Sequence, residues 1–336
     1  MMNNNDFSMF QAIVRLNQEE LLSTMTAFLQ KMYQSDKVHP TRSYILAEGD
    51  IPILLVAHLD TVFKSPPVEI YFDEKKDVLW SPQGLGADDR AGVFIILKLI
   101  QEGLRPHVCF TTDEEMGGVG ASMLVQVFKE KPFDIKYAIQ LDRQGVGDSV
   151  YYDCDNPKFE EYINKFGYVT AWGSFSDISV ICPTWEVAGV NLSVGYVREH
   201  STNETLFLKG MYATMDKVRS MLRQASDAKH YKYIPAYISY PYSFNWSTAY
   251  GYECPSDDDP RDSHKPIRCF RCGKTYPAND LLLVTTSKYP YNDANFCYNC
   301  ITDKNVRWCE KCGEPFLKND LNEKICPFCL MEADLL

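Results

Sequence analysis

The order of apolar and polar residues predicts helices at the start of the chain and an alternation of strands and helices after residue 40. Between residues 7 and 33 the apolar positions recur with a helical period, which predicts one long or two short amphipathic helices, with Asn17 or Ser23 as the break. The apolar run 53–57 is typical of a buried strand. The other predicted elements are strands at 43–46, 107–112, 136–141, 149–152 and 190–197, helices at 89–101, 118–129, 157–166 and 206–228, and a hairpin of strands 68–72 and 78–80.

This alternation indicates the α/β class of folds. Strands that are connected through helices usually run parallel, and the helices then cover both faces of the sheet. We therefore expect a three-layer α/β/α sandwich with a mostly parallel central sheet.

A change of composition after Lys229 indicates a second domain. Residues 231–252 contain seven tyrosines, and an acidic stretch flanked by prolines follows at 255–260. Such composition is typical of a linker. The sequence predicts a first domain at 1–230, a linker at 231–265 and a small cysteine-rich domain at 266–336.

The cysteines of the last segment are spaced as zinc ligands. Eight of the 12 cysteines form four Cys-x-x-Cys pairs, and two four-thiolate zinc sites fit this pattern. Sequential pairing is the simplest arrangement, and interleaved pairing is the alternative. A domain this short has a small core, so we expect a zinc-ribbon-like fold in which two structural zinc ions supply folding free energy. The eight predicted ligands are Cys269, Cys272, Cys297, Cys300, Cys309, Cys312, Cys326 and Cys329.

The charge of the chain restricts its partners. The formal net charge is -11, and residues 266–336 contain nine basic and nine acidic residues, which argues against binding to nucleic acid. The first residues lack the features of a signal peptide, and no apolar run approaches the length of a membrane span. We expect a cytoplasmic protein that makes no membrane contact, with the zinc-ribbon-like domain serving protein recognition or self-association.

Polar side chains cluster where predicted strands end. His58 and Asp60 follow the run 53–57, the acidic pair Asp88-Asp89 lies between glycines, and Asp142 ends another run. The acidic stretch 113–115 follows strand 107–112, and His200 lies near the end of 190–197. Because the carboxyl ends of parallel strands meet at one edge of a sheet, these side chains are expected to converge. Imidazoles and carboxylates in this number suit a pair of zinc ions, with cobalt or manganese as alternatives.

Two further roles follow from the positions of the acidic residues. Asp60 lies two residues along the strand from His58, so both side chains point to the same side and Asp60 can orient the imidazole. The side chains of Glu114 and Glu115 point in different directions because the two residues are adjacent in the chain. One of the two can bind metal while the other acts as a general base.

These motifs resemble those of the co-catalytic di-zinc exopeptidases, the group of bacterial and vacuolar-type aminopeptidases, aminotripeptidase and related carboxypeptidases. The resemblance covers about residues 40–230 and rests on His58-x-Asp60, Gly86-Ala87-Asp88-Asp89-x-Ala91-Gly92, Asp113-Glu114-Glu115-x-Gly117, Asp142 and His200. It implies that Asp88 bridges two metals, that His58 and Asp142 complete one, and that Glu115 and His200 complete the other. It also implies that Asp60 orients His58 and that Glu114 is the base.

The chain departs from the larger members of that group. Only 29 residues separate His58 from Asp88, and 57 separate Asp142 from His200. These spacings exclude a large inserted domain or a lid domain, so the resemblance is to the compact, single-domain aminopeptidases. The cysteine-rich segment is not a recognised part of the family.

The expected function is hydrolysis of a peptide bond by water that two zinc ions activate, as in an aminopeptidase-like exopeptidase. One alternative keeps the chemistry with an N-acyl amino acid or another amide as substrate. The other is a catalytically silent adaptor that binds a protein partner through its zinc ribbons. Five residues beside the predicted ligands are candidates for the substrate cleft, with a structural role equally open: Arg143, Ser176, Asp177, Tyr196 and Arg198.

Overall fold

The computed structural model of the protein describes residues 2–236 and, beyond them, the backbones of six short strands between residues 266 and 317. The chain divides into two compact units, Met1–Ala236 and Tyr237–Leu336. None of the helices in the described part of the chain is long and apolar enough to cross a membrane.

The first unit alternates strands and helices from residue 38 onward. Its helices are α1 (Asn4–Val14), α2 (Gln18–Met32), α3 (Ala87–Gln101), α4 (Val119–Val127), α5 (Pro157–Asn164), α6 (Ile178–Thr184) and α7 (Leu208–Arg223). Its strands are β1 (Val38–Pro40), β2 (Tyr44–Ala47), β3 (Ile51–His58), β4 (Tyr71–Asp73), β5 (Val78–Trp80), β6 (Pro106–Thr111), β7 (Tyr137–Arg143), β8 (Asp148–Val150), β9 (Val169–Thr170), β10 (Gly189–Ser193), β11 (Tyr196–Val197) and β12 (Thr205–Phe207).

Eight of these strands form one sheet in the order β1-β2-β6-β3-β7-β10-β8-β9. The four central strands, β6, β3, β7 and β10, run parallel to their neighbours within this group. The outer pairs β1–β2, β2–β6 and β10–β8 are antiparallel. This arrangement confirms the predicted α/β class with a mostly parallel central sheet.

Side chains of the central strands alternate between two apolar layers. Along β3, Ile53, Leu55 and Ala57 pack into the layer that contains residues of α1, α2, α3 and α7. Leu54 and Val56 point to the opposite layer, which contains residues of α4 and α6. Because both faces are covered, the continuous apolar run is a fully buried strand.

The N-terminal helical pattern resolves into two helices that separate at Asn17. The Asn17 side chain accepts a hydrogen bond from the backbone N–H of Glu20, and the Glu20 carboxylate accepts one from the Asn17 N–H. This reciprocal capping box satisfies two N–H groups at the start of α2. Asn17 is therefore the break, and Ser23 lies inside α2.

Two predicted elements near the C-terminal end of the first unit differ in the structure. The predicted strand 190–197 is interrupted at Gly195, whose φ of 99° turns the chain out of the large sheet. Residues 196–197 join a second sheet of order β11-β12-β5-β4. The helix predicted from residue 206 begins at Leu208 because Thr205–Phe207 pairs with β5.

The described strands of the second unit form two small sheets. They are β13 (Pro266–Arg268), β14 (Thr275–Pro277), β15 (Leu281–Thr285), β16 (Asp293–Cys297), β17 (Val306–Trp308) and β18 (Pro315–Leu317). Strands β13 and β14 pair with each other, and the other four follow the order β16-β15-β18-β17. Two Cys-x-x-Cys pairs lie in sequence between antiparallel partners, one between β13 and β14 and one between β17 and β18.

Candidate metal centre

The candidate ligands of the first unit come from the ends of neighbouring parallel strands. His58 is the last residue of β3, Asp142 lies near the end of β7, and Glu115 follows β6. Asp88 lies in the first turn of α3, and His200 follows β11. Parallel strands present their carboxyl ends at one edge, which brings residues that are distant in sequence into one cluster.

Asp88 lies between the two histidines. Its Oδ1 is 3.1 Å from Nε2 of His58, and its Oδ2 is 3.2 Å from Nε2 of His200. The two oxygens of one carboxylate thus face two separate imidazoles. This is the arrangement that a carboxylate needs in order to bridge two metal ions.

Two groups of potential ligand atoms share Asp88. His58, Asp88 and Asp142 form one group, and Asp88, Glu115 and His200 form the other. Nε2 of His58 is 3.5 Å from Asp142 Oδ1, and Nε2 of His200 is 3.0 Å from Glu115 Oε1. Ligands about 2.0–2.1 Å from a tetrahedral zinc ion lie about 3.3 Å from one another. The donor types and spacings of both groups therefore fit a zinc-like ion.

The charges of the cluster also suit cations. Burial and nearby carboxylates raise the pKa of Asp142 to about 7. Hydrogen bonds with Asp88 and Glu115 raise the pKa of His200 to about 11. Burial lowers the pKa of His58, but Asp142 and Asp60 outweigh this effect and raise it. Protons thus compensate the crowded negative charge, and bound divalent cations would take over this role.

Asp60 contacts several members of the cluster. Its Oδ1 is 3.2 Å from Nδ1 of His58, an ion-pair distance without the alignment of a good hydrogen bond. The two carboxylate oxygens accept hydrogen bonds from the backbone N–H groups of Glu114 and Glu115 at 3.1 and 3.0 Å. Burial by itself would raise the pKa of Asp60, but His58 and these two N–H groups outweigh burial, so the pKa is lowered. One carboxylate thus touches the histidine and fixes the backbone of both glutamates.

Glu114 belongs to neither of the two groups that share Asp88, but with His58 and Glu115 it forms a third group of potential ligand atoms. Its Oε2 is 4.0 Å from Nε2 of His58. Burial and the charges of Asp142, Asp177 and Asp88 raise its pKa to about 10, against the lowering effect of His58. Positive charge bound at the centre would lower this pKa and free the carboxylate to accept a proton.

Several supporting residues were not predicted from the sequence. The Asp89 carboxylate accepts hydrogen bonds from the N–H groups of His58 and Gly92, both at 3.1 Å. Asn191 accepts from the N–H of Asp142 and donates to its carbonyl oxygen. Glu204 accepts from the loop that contains Asp88. Asp89 was visible as part of an acidic pair, whereas no local pattern marks Asn191 or Glu204.

The five cleft candidates divide between the centre and its surroundings. The Tyr196 hydroxyl donates to Asp142 Oδ1 at 3.0 Å, and the Ser176 hydroxyl donates to Oδ2 at 3.4 Å. Asp177 is buried and accepts a hydrogen bond of 2.5 Å from Thr111. Arg143 lines a cavity of about 150 Å³ that also contains Asp88, Glu114, Asp142 and His200. Arg198 does not line this cavity, and its carbonyl oxygen accepts a hydrogen bond from Ser201.

A larger cavity adjoins the centre. It has a volume of about 570 Å³ and its lining includes Asp60 and the candidate ligand Glu115. Its apolar walls come from the junction of α1 and α2, from the loop after β3 and from the residue after Glu115: Val14, Leu16, Val62, Phe63, Pro66 and Met116. A space of this size can hold a small molecule or part of a peptide beside the centre.

The predicted zinc ligands of the second unit lie outside the described residues. Cys297 closes β16, of which the backbone alone is described, and the remaining seven cysteines lie between or beyond the strands. Two structural zinc sites in this unit stay a prediction.

Comparisons with known proteins identify the fold. No protein-family model matches the chain, and no curated protein matches it by sequence. Solved structures similar to it include the aminopeptidase PepT of Bacillus cereus ATCC 10987, with 15% identity and a TM-score of 0.51 over 66% of this chain and 98% of that one. A tripeptidase of Staphylococcus aureus subsp. aureus mu50 has 15% identity and a TM-score of 0.53 over 68% and 100%.

A third similar structure is a TET aminopeptidase from a marine sediment archaeon of the Thaumarchaeota, with 14% identity and a TM-score of 0.52 over 66% of this chain and 97% of that one. At this level of identity the three structures show a shared fold. Between β3 and α3 the described chain has a short hairpin of β4 and β5.

Proposed function

We propose that the protein is a metal-dependent hydrolase that cleaves a peptide bond, as an aminopeptidase-like exopeptidase does. The observation that carries this proposal is the position of the Asp88 carboxylate, which faces His58 with one oxygen and His200 with the other. Glu114 lies next to this arrangement without occupying it. The names of the structures that share the fold agree with this reading.

The metal ligands would divide into two sets. His58 and Asp142 would hold one ion, Glu115 and His200 would hold the other, and Asp88 would bridge them. Two such ions, zinc or alternatively cobalt or manganese, would polarise the carbonyl group of the substrate and activate water for attack. Asp60 would keep the His58 ring in its orientation, since it contacts Nδ1 while Nε2 faces the centre.

Glu114 would move the proton. Its carboxylate would accept a proton from the attacking water and donate it to the leaving amine as the tetrahedral species collapses. Asp60 supports this role because it holds the Glu114 backbone N–H at 3.1 Å. The complete set of ligands together with this base favours a hydrolase over a silent adaptor.

The apolar part of the adjoining cavity suits a substrate with an apolar side chain next to the scissile bond. About half of the lining residues are apolar, and the charged ones besides Asp60 and Glu115 are Glu19, Lys64, Arg90 and Asp113. Burial of a leucine-sized side chain there would contribute about 1.5–3 kcal/mol to binding. We therefore propose short peptides that begin with a large apolar residue as the preferred substrates.

For the second unit we propose two structural zinc ions held by the eight cysteines and contact with a protein partner or a second copy of the chain. Thiolate sites of this kind persist in a reducing compartment, which is consistent with the cytoplasm. The two Cys-x-x-Cys pairs between paired strands support this proposal.

A substrate panel tests the proposed reaction. The protein, loaded with zinc or cobalt and its metal content measured, is incubated with leucyl, phenylalanyl, glutamyl and lysyl amides, with their N-acetylated forms and with short peptides. Release of amine from the free leucyl and phenylalanyl compounds is the expected result. Faster cleavage of the acetylated forms would favour the acyl-amino-acid alternative, and no turnover with both metals bound would favour the adaptor.

A further inference from the structure

Glu204 is a fully buried carboxylate that the proposed reaction does not use. Its side chain has 0% exposure, and it lies four residues after His200. The next residue begins β12, which is fixed by pairing with β5. An ionisable side chain is rarely buried completely unless its polar atoms are satisfied.

The partners of Glu204 are three successive backbone N–H groups. Oε2 accepts from Gly86 at 2.5 Å and from Ala87 at 3.1 Å, and Oε1 accepts from Asp88 at 3.0 Å. Gly86 has a φ of 68°, the left-handed conformation that helps successive N–H groups to converge on an anion. These groups precede the regular part of α3, because Asp88 and Asp89 have non-helical backbone angles, and their N–H groups therefore need partners outside the helix.

Glu204 therefore connects two loops that carry metal ligands. One loop contains Asp88, whose own N–H is among the three donors, and the other contains His200. Nε2 of His200 and Oδ2 of Asp88 are only 3.2 Å apart, so a shift of one loop against the other changes the distance on which a shared ion would depend.

We propose that Glu204 is a positioning residue that locks the Asp88 loop to the His200 loop and so sets the metal affinity of the centre. The role rests on the proposed metal centre but not on the identity of the substrate. In the described part of the chain, Glu204 belongs to none of the groups of potential metal ligands, and its hydrogen bonds reach the centre through the backbone N–H of Asp88.

The test compares the full-length wild-type protein with Glu204→Gln and with Asp6→Asn. Glutamine keeps the size of the side chain but turns an NH₂ group toward backbone donors, so at least one of the three hydrogen bonds is lost. Asp6 is a matched control because it is also a buried carboxylate, and it accepts hydrogen bonds from Lys98 near the far end of α3, from Tyr212 and from Asn3. Zinc affinity is measured by competition with a chromogenic chelator, and folding is measured by thermal melting.

The expected result for Glu204→Gln is a 10- to 100-fold weaker zinc affinity, the usual effect of removing a partner that orients metal ligands. Activity should return toward the wild-type value when zinc is raised to saturation. Asp6→Asn should lower the melting temperature and leave zinc affinity unchanged. An unchanged zinc affinity in Glu204→Gln would overturn the proposal, as would an equal loss in Asp6→Asn.

Two measurements remain decisive if Glu204→Gln does not fold. Glu204→Asp keeps the charge but is one methylene too short to reach all three donors, so its zinc affinity should also fall, and a wild-type affinity would contradict the proposal. Hydrogen exchange in the wild-type protein should show protected amides at 86–88, and unprotected amides would refute the contact. Neither readout requires turnover, so an inactive wild type would reject the proposed function while these results still decide the role of Glu204.

Discussion

Glu114 and Glu115 are neighbours in the chain, but their carboxylates have different surroundings. Glu115 Oε1 faces His200 at 3.0 Å, whereas Glu114 is 4.0 Å from the nearest histidine nitrogen. We expect Glu114→Gln to bind metal like the wild type and to lose kcat by roughly 10²–10⁴, because the variant keeps the size of the side chain but not the basic oxygen. Turnover of a leucyl substrate and metal content are measured together.

The matched control for this prediction is Glu130→Gln, an exposed glutamate just after α4. It should leave turnover, metal content and melting temperature unchanged. Wild-type turnover in Glu114→Gln would show that another group transfers the proton.

We expect His107 to make the stability of the first unit depend on pH. It is buried, its Nδ1 accepts the N–H of Gly49 at 3.0 Å, and its Nε2 donates to the carbonyl oxygen of Asp134 at 3.1 Å. Burial lowers its pKa. As the pH is lowered, His107 is therefore protonated at a higher pH in the unfolded chain than in the folded one. Above about pH 6.5 this has no effect on the free energy of unfolding, and below that pH the free energy of unfolding falls.

Urea denaturation at pH 7.5 and pH 5.5 tests this effect. The wild type should lose more stability between the two pH values than His107→Gln does, since all other titrating groups are common to both proteins. An equal loss in the two proteins would mean that His107 does not contribute.

At the scale of the elements, α3 approaches the sheet closely enough to require a glycine. A Cβ atom on Gly92 would lie 2.3 Å from the carbonyl oxygen of Leu141 in β7 and 2.5 Å from the Asp89 carboxylate. We expect Gly92→Ala to lower the free energy of unfolding by about 1–3 kcal/mol, because this overpacking outweighs the gain of about 1 kcal/mol in helix propensity. Equilibrium denaturation measures the change.

Gly210 in α7 provides the comparison. Its Cβ would meet first the side chain of Val146, which is 58% exposed and can move away. Gly210→Ala should therefore change stability much less than Gly92→Ala. Equal losses in the two variants would show that the contact with the sheet is not what requires Gly92.

The elements that the sequence predicted well are those whose pattern is local. The apolar run 53–57 lies within β3, and the helical period of residues 7–33 gives α1 and α2, with the capping residue Asn17 between them. After the break at Gly195 the chain enters the second sheet, in which β11 pairs with β12, and β12 pairs with β5, more than 100 residues earlier. The helix α6 was not among the predicted elements, because it is short, contains Pro183 and lacks a clear period of apolar residues.

The candidate ligands were visible for the same reason, since each follows a recognisable strand or lies in the glycine-flanked loop. The residues that support them were not visible. Glu204 acts on backbone groups 116–118 residues away, and such a contact leaves no pattern near either end.

At the scale of the whole molecule, the two units predict two independent sets of metals. The full chain should bind about four zinc ions, two at the centre of the first unit and two at the cysteines of the second. Cys269→Ser should lower the zinc content toward three ions per chain and destabilise the second unit. The metal content of the first unit and its turnover should stay unchanged. Elemental analysis and melting curves measure both effects. Loss of all metal in this variant would show that the metal sites of the two units are not independent.

The large cavity next to the centre receives one of its walls from the junction of α1 and α2, namely from Val14, Leu16, Asn17, Gln18 and Glu19. The candidate metal ligands come instead from strand ends and loops later in the chain. Exchange of this short segment among related chains would alter which side chain is accepted, and metal content and the maximal rate on a small substrate would stay the same. If the proposed function holds, substrate preference can thus evolve, or be engineered, in this N-terminal segment while the candidate metal centre stays unchanged.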